Sequence, residues 1–377
     1  MKSKHWLSIF FILLFLGIGS FMLLNYIVDP FGYFTLTKGE DLFDSEDYSR
    51  AIKADYFTEN SDQFDAVVLG GSKGGVLSTE LLSSYTGKRY YNFYSNQGNF
   101  SDYLTYGKYL IDNTDISEIT LHLSSFEVKA YEKESTGAAV YQVPAIVSGN
   151  KWDQIKEVLN FLMTDIKTAL ETASQKKDVT DGTYDDVATG TRHWAKSIRL
   201  FEKDPDAFIA KYVTQSSTKY LKSLFNQKAN SLTAFDDNIA ALRELKAYCD
   251  KHNVTLKVVI GASFLTERYL YECSRYYDYL REIVEITDVW DFSDYNDINI
   301  NPYNFYNFKH YDTAVADLMV NTMYGGEARE GFGIYLTKDN IEAYLEKRIA
   351  DYEQLKEEFE TTGAIQLEGM DDDSYIR

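Results

Sequence analysis

At 377 residues the chain is long enough for one large or two smaller domains, and its 45% hydrophobic and 25% charged composition is that of a globular body with a core of its own. The 38 basic against 58 acidic side chains leave a formal net charge of −20, which excludes the basic footprint of a nucleic-acid binder and argues against docking on an anionic membrane through charge. Two cysteines exclude a disulfide framework and a cysteine-rich zinc site.

Trp6–Val28 is a run of 23 residues without a charge. At 1.5 Å per residue it reaches roughly 34 Å, enough to cross a hydrocarbon core. Lys2 and Lys4 precede it and Asp29 follows, so the positive-inside rule places the N-terminus in the cytoplasm and the remainder outside. A cleaved signal peptide would have a shorter apolar region and a small-x-small site, which Asn25–Pro30 does not offer. The expectation is a cell-membrane protein with a single-pass anchor in residues 1–28, an extracytoplasmic domain over 29–360 and an acidic tail over 361–377, disordered from Gly369 to Arg377.

Beyond the anchor, short apolar runs alternate with helical periodicity. Strands are predicted at Asp65–Leu69, Arg89–Phe93, Ile119–Leu123, Thr255–Ile260 and Asp288–Phe292. Helices are predicted at Val76–Ser84, Phe100–Asp112, Asp237–His252, Tyr276–Ile286, His310–Tyr324 and over 337–360. This alternation implies an α/β fold, a parallel sheet of about five strands between helices. Residues 130–235 interrupt it with a helical insertion. Trp152–Thr172, His193–Phe201 and Pro205–Leu224 read as helical there, and Lys176–Thr191 as a polar loop. The insertion is either a cap on the sheet or a lid over the strand ends. Cys249 and Cys273 flank the fourth strand, as two free thiols or as a disulfide.

Two side chains stand out chemically. Ser72 follows the first strand within Gly70-Gly71-Ser72-Lys73-Gly74-Gly75, where ligands of an open α/β sheet bind and where the helix after the turn would aim its first amides at a developing oxyanion. An N-capping serine is the plainer reading. The segment matches G-x-S-x-G of α/β-hydrolases, but those place the motif after several strands; no P-loop pattern is present. Of five histidines, only His310 falls in a loop between the final strand and the last helix of the sheet. A first-strand serine with a last-helix histidine can form a nucleophile and base.

This order of blocks resembles the membrane-anchored SGNH (GDSL-like) hydrolases and O-acyltransferases. Gly70-Gly71-Ser72 corresponds to the first block, Tyr91–Gly98 to the second and Leu123-Ser124-Ser125-Phe126 to the third, while Asn307-Phe308-Lys309-His310 stands where the family has Asp-x-x-His. Val28–Gly32 and Gly331–Ile341 are similar to segments of the anchored subgroup, which includes teichoic-acid D-alanyl-transfer proteins and polysaccharide O-acetylation proteins. The resemblance implies an SGNH-like (flavodoxin-like) fold. It implies catalytic Ser72 and His310 with Asn307, an oxyanion hole from the backbone of Ser72 and Gly98 with Ser125, and no cofactor or metal. It further implies a serine acyltransferase or esterase acting on a cell-surface polysaccharide or wall polymer, with a membrane-bound O-acyltransferase as partner. Two blocks depart from the pattern. The third lacks the Asn of Gly-x-Asn-Asp and offers Ser124 or Ser125 instead. The fourth carries Asn307 for Asp, so the site is a dyad, or is completed by Asp291, Asp297 or Asp312, or is inactive. A catalytically degenerate scaffold on the same fold is the alternative function.

Overall fold

The computed structural model describes residues 2–44, 48–124, 143–175, 178–215, 234–268, 272–366 and 375–376. Its strands, in chain order, are β1 (Leu42–Asp44), β2 (Ala66–Gly70), β3 (Tyr90–Asn92), β4 (Glu118–Leu123), β5 (Tyr184–Asp186), β6 (Arg192–His193), β7 (Thr255–Ile260), β8 (Val289–Asp291), β9 (Phe305–Asn307), β10 (His310–Tyr311), β11 (Ile334–Leu336), β12 (Ile365–Gln366) and β13 (Tyr375–Ile376). Among the described residues one helix, Lys2–Val28, is long and apolar enough to cross a membrane: an 18-residue stretch within His5–Val28 has a mean hydropathy of 2.6.

The main sheet has six strands in the order β3-β2-β4-β7-β8-β11. The five predicted strands form its parallel body, in register from Ala66 opposite Glu118 to Ile260 opposite Asp291. The sixth, β11, joins β8 antiparallel; three residues are too few for a periodicity to announce. Burial explains why β2 reads as a continuous apolar run. Val67 and Leu69 face one core layer with the helices Phe100–Asn113, Phe235–Lys251 and Ser274–Ile286. Ala66 and Val68 face the other layer, with the helices Thr79–Thr86 and Thr313–Tyr324. A strand covered on both faces shows no polar alternation. β4 is different: its second face carries Glu118, Thr120 and His122, all buried. Glu118 accepts hydrogen bonds there from the Lys88 ammonium (2.6 Å) and the Tyr90 hydroxyl, and pairs with Lys257 at 2.8 Å.

From β2 the chain returns on one side to β3, then crosses to the other side for β4. The strand order therefore reverses between β2 and β4, and ligands of such sheets bind beyond the carboxyl ends of the two strands at the reversal. Ser72 follows β2, and Ser124 follows β4.

Several expected elements differ. The helix expected at Val76–Ser84 begins at Thr79, with Ser78 as its cap (Oγ accepts from Leu81 N–H at 3.1 Å), and a 3-10 turn fills Ser72–Val76. The expected helix His310–Tyr324 starts at Thr313 because Asp312 caps it, leaving His310 in a hairpin of β9 and β10. The expected loop Lys176–Thr191 contains β5, which pairs with β1 and β6 in a small antiparallel sheet; its β1 partner lies about 140 residues earlier, beyond any local pattern. His193 belongs to β6, and the helix after it is Ala195–Lys203. The insertion's first helix is two, Lys151–Leu162 and Ile166–Gln175, because Asp165 caps the second by accepting from Thr168 N–H at 3.0 Å. Pro205–Phe208 is helical and Ile209–Thr214 forms a π-helical turn; the rest of the segment expected up to Leu224, from 216 on, lies outside the described residues. Cys249 and Cys273 are free thiols, Cys249 buried. Of the acidic tail expected over 361–377, Thr362 closes the helix Ile341–Thr362 and Ile365–Gln366 pairs with Tyr375–Ile376, the latter inside the stretch expected to be disordered; residues 367–374 and 377 lie outside the described residues.

Gly70 is what lets β2 turn beside β4. Its φ is +155°, and a Cβ there would lie 2.6 Å from the His122 carbonyl oxygen and 2.9 Å from His122 Cβ. Both neighbours belong to a buried strand that cannot yield. Gly70→Ala is expected to destabilise the fold by about 3 kcal/mol. A lowered urea midpoint of the detergent-solubilised chain measures this; an unchanged midpoint refutes the packing argument.

Candidate active site

β2 ends at Gly70, Gly71 stays extended, and the chain tightens at once into the 3-10 turn Ser72–Val76. A 3-10 turn bonds each N–H to the carbonyl three residues earlier, so its opening N–H groups at Ser72 and Lys73 have no acceptor within the turn. Glycine is required further along for packing. A Cβ at Gly74 would sit 3.1 Å from His122 Cβ, and one at Gly75 would sit 2.8 Å from the Tyr94 ring.

The histidine arrives from 238 residues downstream. In the β9–β10 hairpin the Asn307 Oδ1 accepts the backbone N–H groups of Lys309 (2.9 Å) and His310 (3.0 Å). This Asx turn fixes the Asn307 side chain independently of its contact with the ring. Two backbone donors on one atom also settle which end of the amide it is, since an NH₂ group there would face two N–H groups. The same oxygen lies 3.1 Å from His310 Nδ1. Nδ1 therefore carries the proton and donates it to Asn307, and Nε2 keeps its lone pair. Nε2 lies 2.9 Å from Ser72 Oγ, whose hydroxyl donates to it. Hydroxyl, imidazole and amide thus form one line, the geometry of an activated serine with an asparagine as orienting group.

The cleft holding this line has a volume of about 310 Å³ and is lined by Gly71, Lys73, Gln97, Gly98, His122 and Ser124 among others. Trp194 packs on the His310 ring, with centroids 4.8 Å apart and planes tilted by 46°. Arg192 lies over Trp194, and its guanidinium donates to Asn96 Oδ1 at 2.7 Å. Lys73 forms a buried ion pair with Glu267, whose carboxylate also accepts from Ser263 Oγ at 3.2 Å. Burial first, then the positive charges of Arg192, Lys73 and Lys309, hold the His310 pKa well below the usual 6.5. Burial, with the Lys73 charge second, lowers His122 to about 3. His122 Nε2 and the Tyr311 hydroxyl share a hydrogen bond of 2.8 Å, and its Nδ1 has no partner among the described residues.

The structure thus brings Ser72, His310 and Asn307 together. The N–H of Gly98, expected in an oxyanion hole, donates instead to the Ser95 carbonyl at 3.0 Å. Gly98 itself still lines the cleft, beside Gln97 with its φ of +50°. Ser124 lines the cleft as well, and Ser125 lies outside the described residues. None of the three alternative acids holds the His310 ring. Asp291 is bound by Arg348 (3.1 Å) and Tyr344 (2.7 Å). Asp297 pairs with Arg329. Asp312 caps its helix through Val315 N–H at 2.9 Å, and burial raises its pKa to about 6. A larger cavity of about 460 Å³ lies beside Phe31, Tyr48 and Phe161, with no histidine in its lining.

Sequence reasoning missed Lys73, Arg192, Trp194, His122 and Glu267. Only Lys73 had a local signal, being next to Ser72. Searches against protein-family models and against curated proteins return no match for this chain.

Because the His310 pKa sits below 6.5, the imidazole stays neutral as pH falls through the range where an ordinary histidine is protonated. Labelling of Ser72 by a fluorophosphonate probe is expected to hold its rate from pH 8 down to about 6. Asn307→Asp adds a negative charge against Nδ1–H and raises the pKa, moving the acid limb upward. Asn307→Leu removes the acceptor and lowers the rate at pH 8 by about 10²-fold or more, since the tautomer is no longer held. An acid limb at 6.5 or above in the unmodified chain contradicts the electrostatics.

Proposed function

We propose that the chain is a membrane-anchored, extracytoplasmic serine acyltransferase or esterase acting on a cell-surface polysaccharide or wall polymer. The observation that carries this reading is the line from Ser72 Oγ through His310 to Asn307 at 2.9 and 3.1 Å, at the strand reversal of a parallel sheet. Ser72 Oγ attacks the carbonyl carbon of an acyl donor while His310 Nε2 takes its proton. The tetrahedral intermediate expels the donor's alcohol, which takes the proton back from Nε2, and an ester remains on Ser72. A sugar hydroxyl, or water, then attacks that ester by the same steps in reverse. The opening N–H groups of Ser72 and Lys73 are the oxyanion donors in this reading. An SGNH-like block order, stated above from the sequence, is consistent with this arrangement.

The helix His5–Val28 supports the membrane assignment, and Lys2 and Lys4 ahead of it support an outward-facing domain. Attachment to the membrane favours transfer, because a membrane-bound O-acyltransferase could present acyl groups at the same surface. A net charge of −20 disfavours a polyphosphate acceptor and favours a polysaccharide. A second reading, a scaffold partner without catalysis, is favoured by one observation: the Gly98 N–H is turned to Ser95 and away from the cleft.

The two readings separate at Ser72. The enzyme reading expects the full chain to react with one equivalent of a fluorophosphonate, Ser72→Ala to react with none, and cells carrying Ser72→Ala to lose acylation of their surface polymer. Intact polymer acylation in Ser72→Ala cells that contain normal amounts of the protein would sink the enzyme and favour the scaffold.

A further inference from the structure

Two helices of the insertion, Lys151–Leu162 and Ile166–Gln175, leave an apolar side uncovered by any described residue. Trp152 is 71% exposed, and Ile155, Leu159, Met163, Ile166 and Leu170 are exposed with it. Trp152, Ile155 and Leu159 follow the i, i+3, i+7 spacing of one helical face. Such a patch on a water-soluble surface would be an aggregation hazard.

This hairpin is fastened to the helix Lys2–Val28 at one polar point. The buried Asn25 side chain donates from Nδ2 to the carbonyls of Leu162 (3.0 Å) and Thr164 (2.9 Å), at the turn between the two helices. Aromatic packing locks the same corner: Phe161 stacks on Tyr33 with centroids 3.8 Å apart and meets Tyr48 at 4.4 Å. Asn25 lies three residues before Val28, about 4.5 Å along the helix axis. Helices lying in a membrane surface sit about 5–10 Å into the boundary between headgroups and acyl chains. The hydrogen bonds from Asn25 therefore hold the turn of the hairpin beside the last turn of the helix Lys2–Val28.

We infer that the helices Lys151–Leu162 and Ile166–Gln175 form a second membrane attachment, lying in the bilayer surface beside the spanning helix with Trp152, Ile155, Leu159, Met163, Ile166 and Leu170 in the acyl chains. The inference rests on His5–Val28 spanning the bilayer. Residues 151–175 carry three lysines against four acidic residues. Attraction to anionic lipid therefore contributes nothing, and a zwitterionic phosphatidylcholine surface is sufficient. Two attachments, one along the membrane normal and one in its plane, restrict the domain's rotation and tilt as one cannot.

The test uses the full chain reconstituted in phosphatidylcholine vesicles, with and without acyl chains dibrominated near the headgroup. Bromine quenches only tryptophans that touch it. The chain has four tryptophans, Trp6, Trp152, Trp194 and Trp290. The emission lost between Trp6→Phe and Trp6→Phe/Trp152→Phe belongs to Trp152, and Trp152→Phe retains Trp6 as the reporter of the span. The expected result is at least a twofold quenching of the Trp152 contribution in brominated vesicles without anionic lipid. Trp152 unquenched where Trp6 is quenched overturns the inference and leaves a protein partner as the cover of this face. Trp6 unquenched overturns the spanning helix, and the inference with it. Neither outcome touches Ser72 chemistry, whose readout is probe labelling.

Discussion

The arrangement hangs on one oxygen. Asn307 Oδ1 accepts two backbone N–H groups of its own hairpin and lies 3.1 Å from His310 Nδ1. The backbone bonds exist whatever the cleft contains, so the ring's orientation is built into the fold of the hairpin. An aspartate would accept the same three donors and add a charge. The amide keeps the directional half of that role and omits the electrostatic half. Imidazole and serine hydroxyl consequently meet as neutral groups, in surroundings where the positive charges of Arg192, Lys73 and Lys309 act on the ring.

The walls of the cleft depend on buried ions from elements far apart in sequence. Arg50 donates to the Asn96 carbonyl at 2.7 Å and pairs with Asp102 at 3.0 Å, while Arg192 takes the Asn96 side chain. Lys53 pairs with Asp185 at 3.0 Å, and Tyr94 donates to the same carboxylate at 2.6 Å. The loop after β3 is thereby clamped between the helix Ser49–Glu59 and the β5–β6 ribbon of the insertion. Burial pulls Lys53 down to about 8 even with Asp185 beside it, which shows how far these ions stand from water. Buried pairs of this kind add little net stability against apolar replacements, but removing one partner strands a charge. Their use here is positional: they seat Trp194 on the His310 ring and fix where Gln97 and Gly98 sit.

How much of this could be read in advance follows the range of each interaction. The five parallel strands are legible because each is a short apolar run closed by polar or glycine residues, a local signal. Ser72 and His310 are legible by type and place, one after the first strand and one before the last helix, although their contact is not. Asn307 is visible only as a departure from Asp-x-x-His; its value lies in hydrogen bonds to Lys309 and His310 that no composition reveals. The β5–β6 ribbon escapes because its polar sequence suits a loop. Asp185 is completely buried by Lys53, Tyr94 and Arg192, none of them near it in sequence except the last. A polar residue that becomes core only through distant partners cannot be recognised by periodicity.

The cations around His310 act in two opposed ways in the proposed acyl transfer. The transition state carries a developing imidazolium and a developing oxyanion. Arg192, Lys73 and Lys309 disfavour the first, which is why the ring's pKa is low. The same charges favour the second, because negative charge grows on an oxygen bound beside Ser72 and Lys73, inside a cleft of about 310 Å³ where screening by water is weak. A carboxylate at position 307 would strengthen the base and partly cancel that field. An amide leaves it intact. In this reading the departure at Asn307 moves stabilisation from the base to the oxyanion, and it fits a cleft in which the Gly98 N–H is already engaged by Ser95.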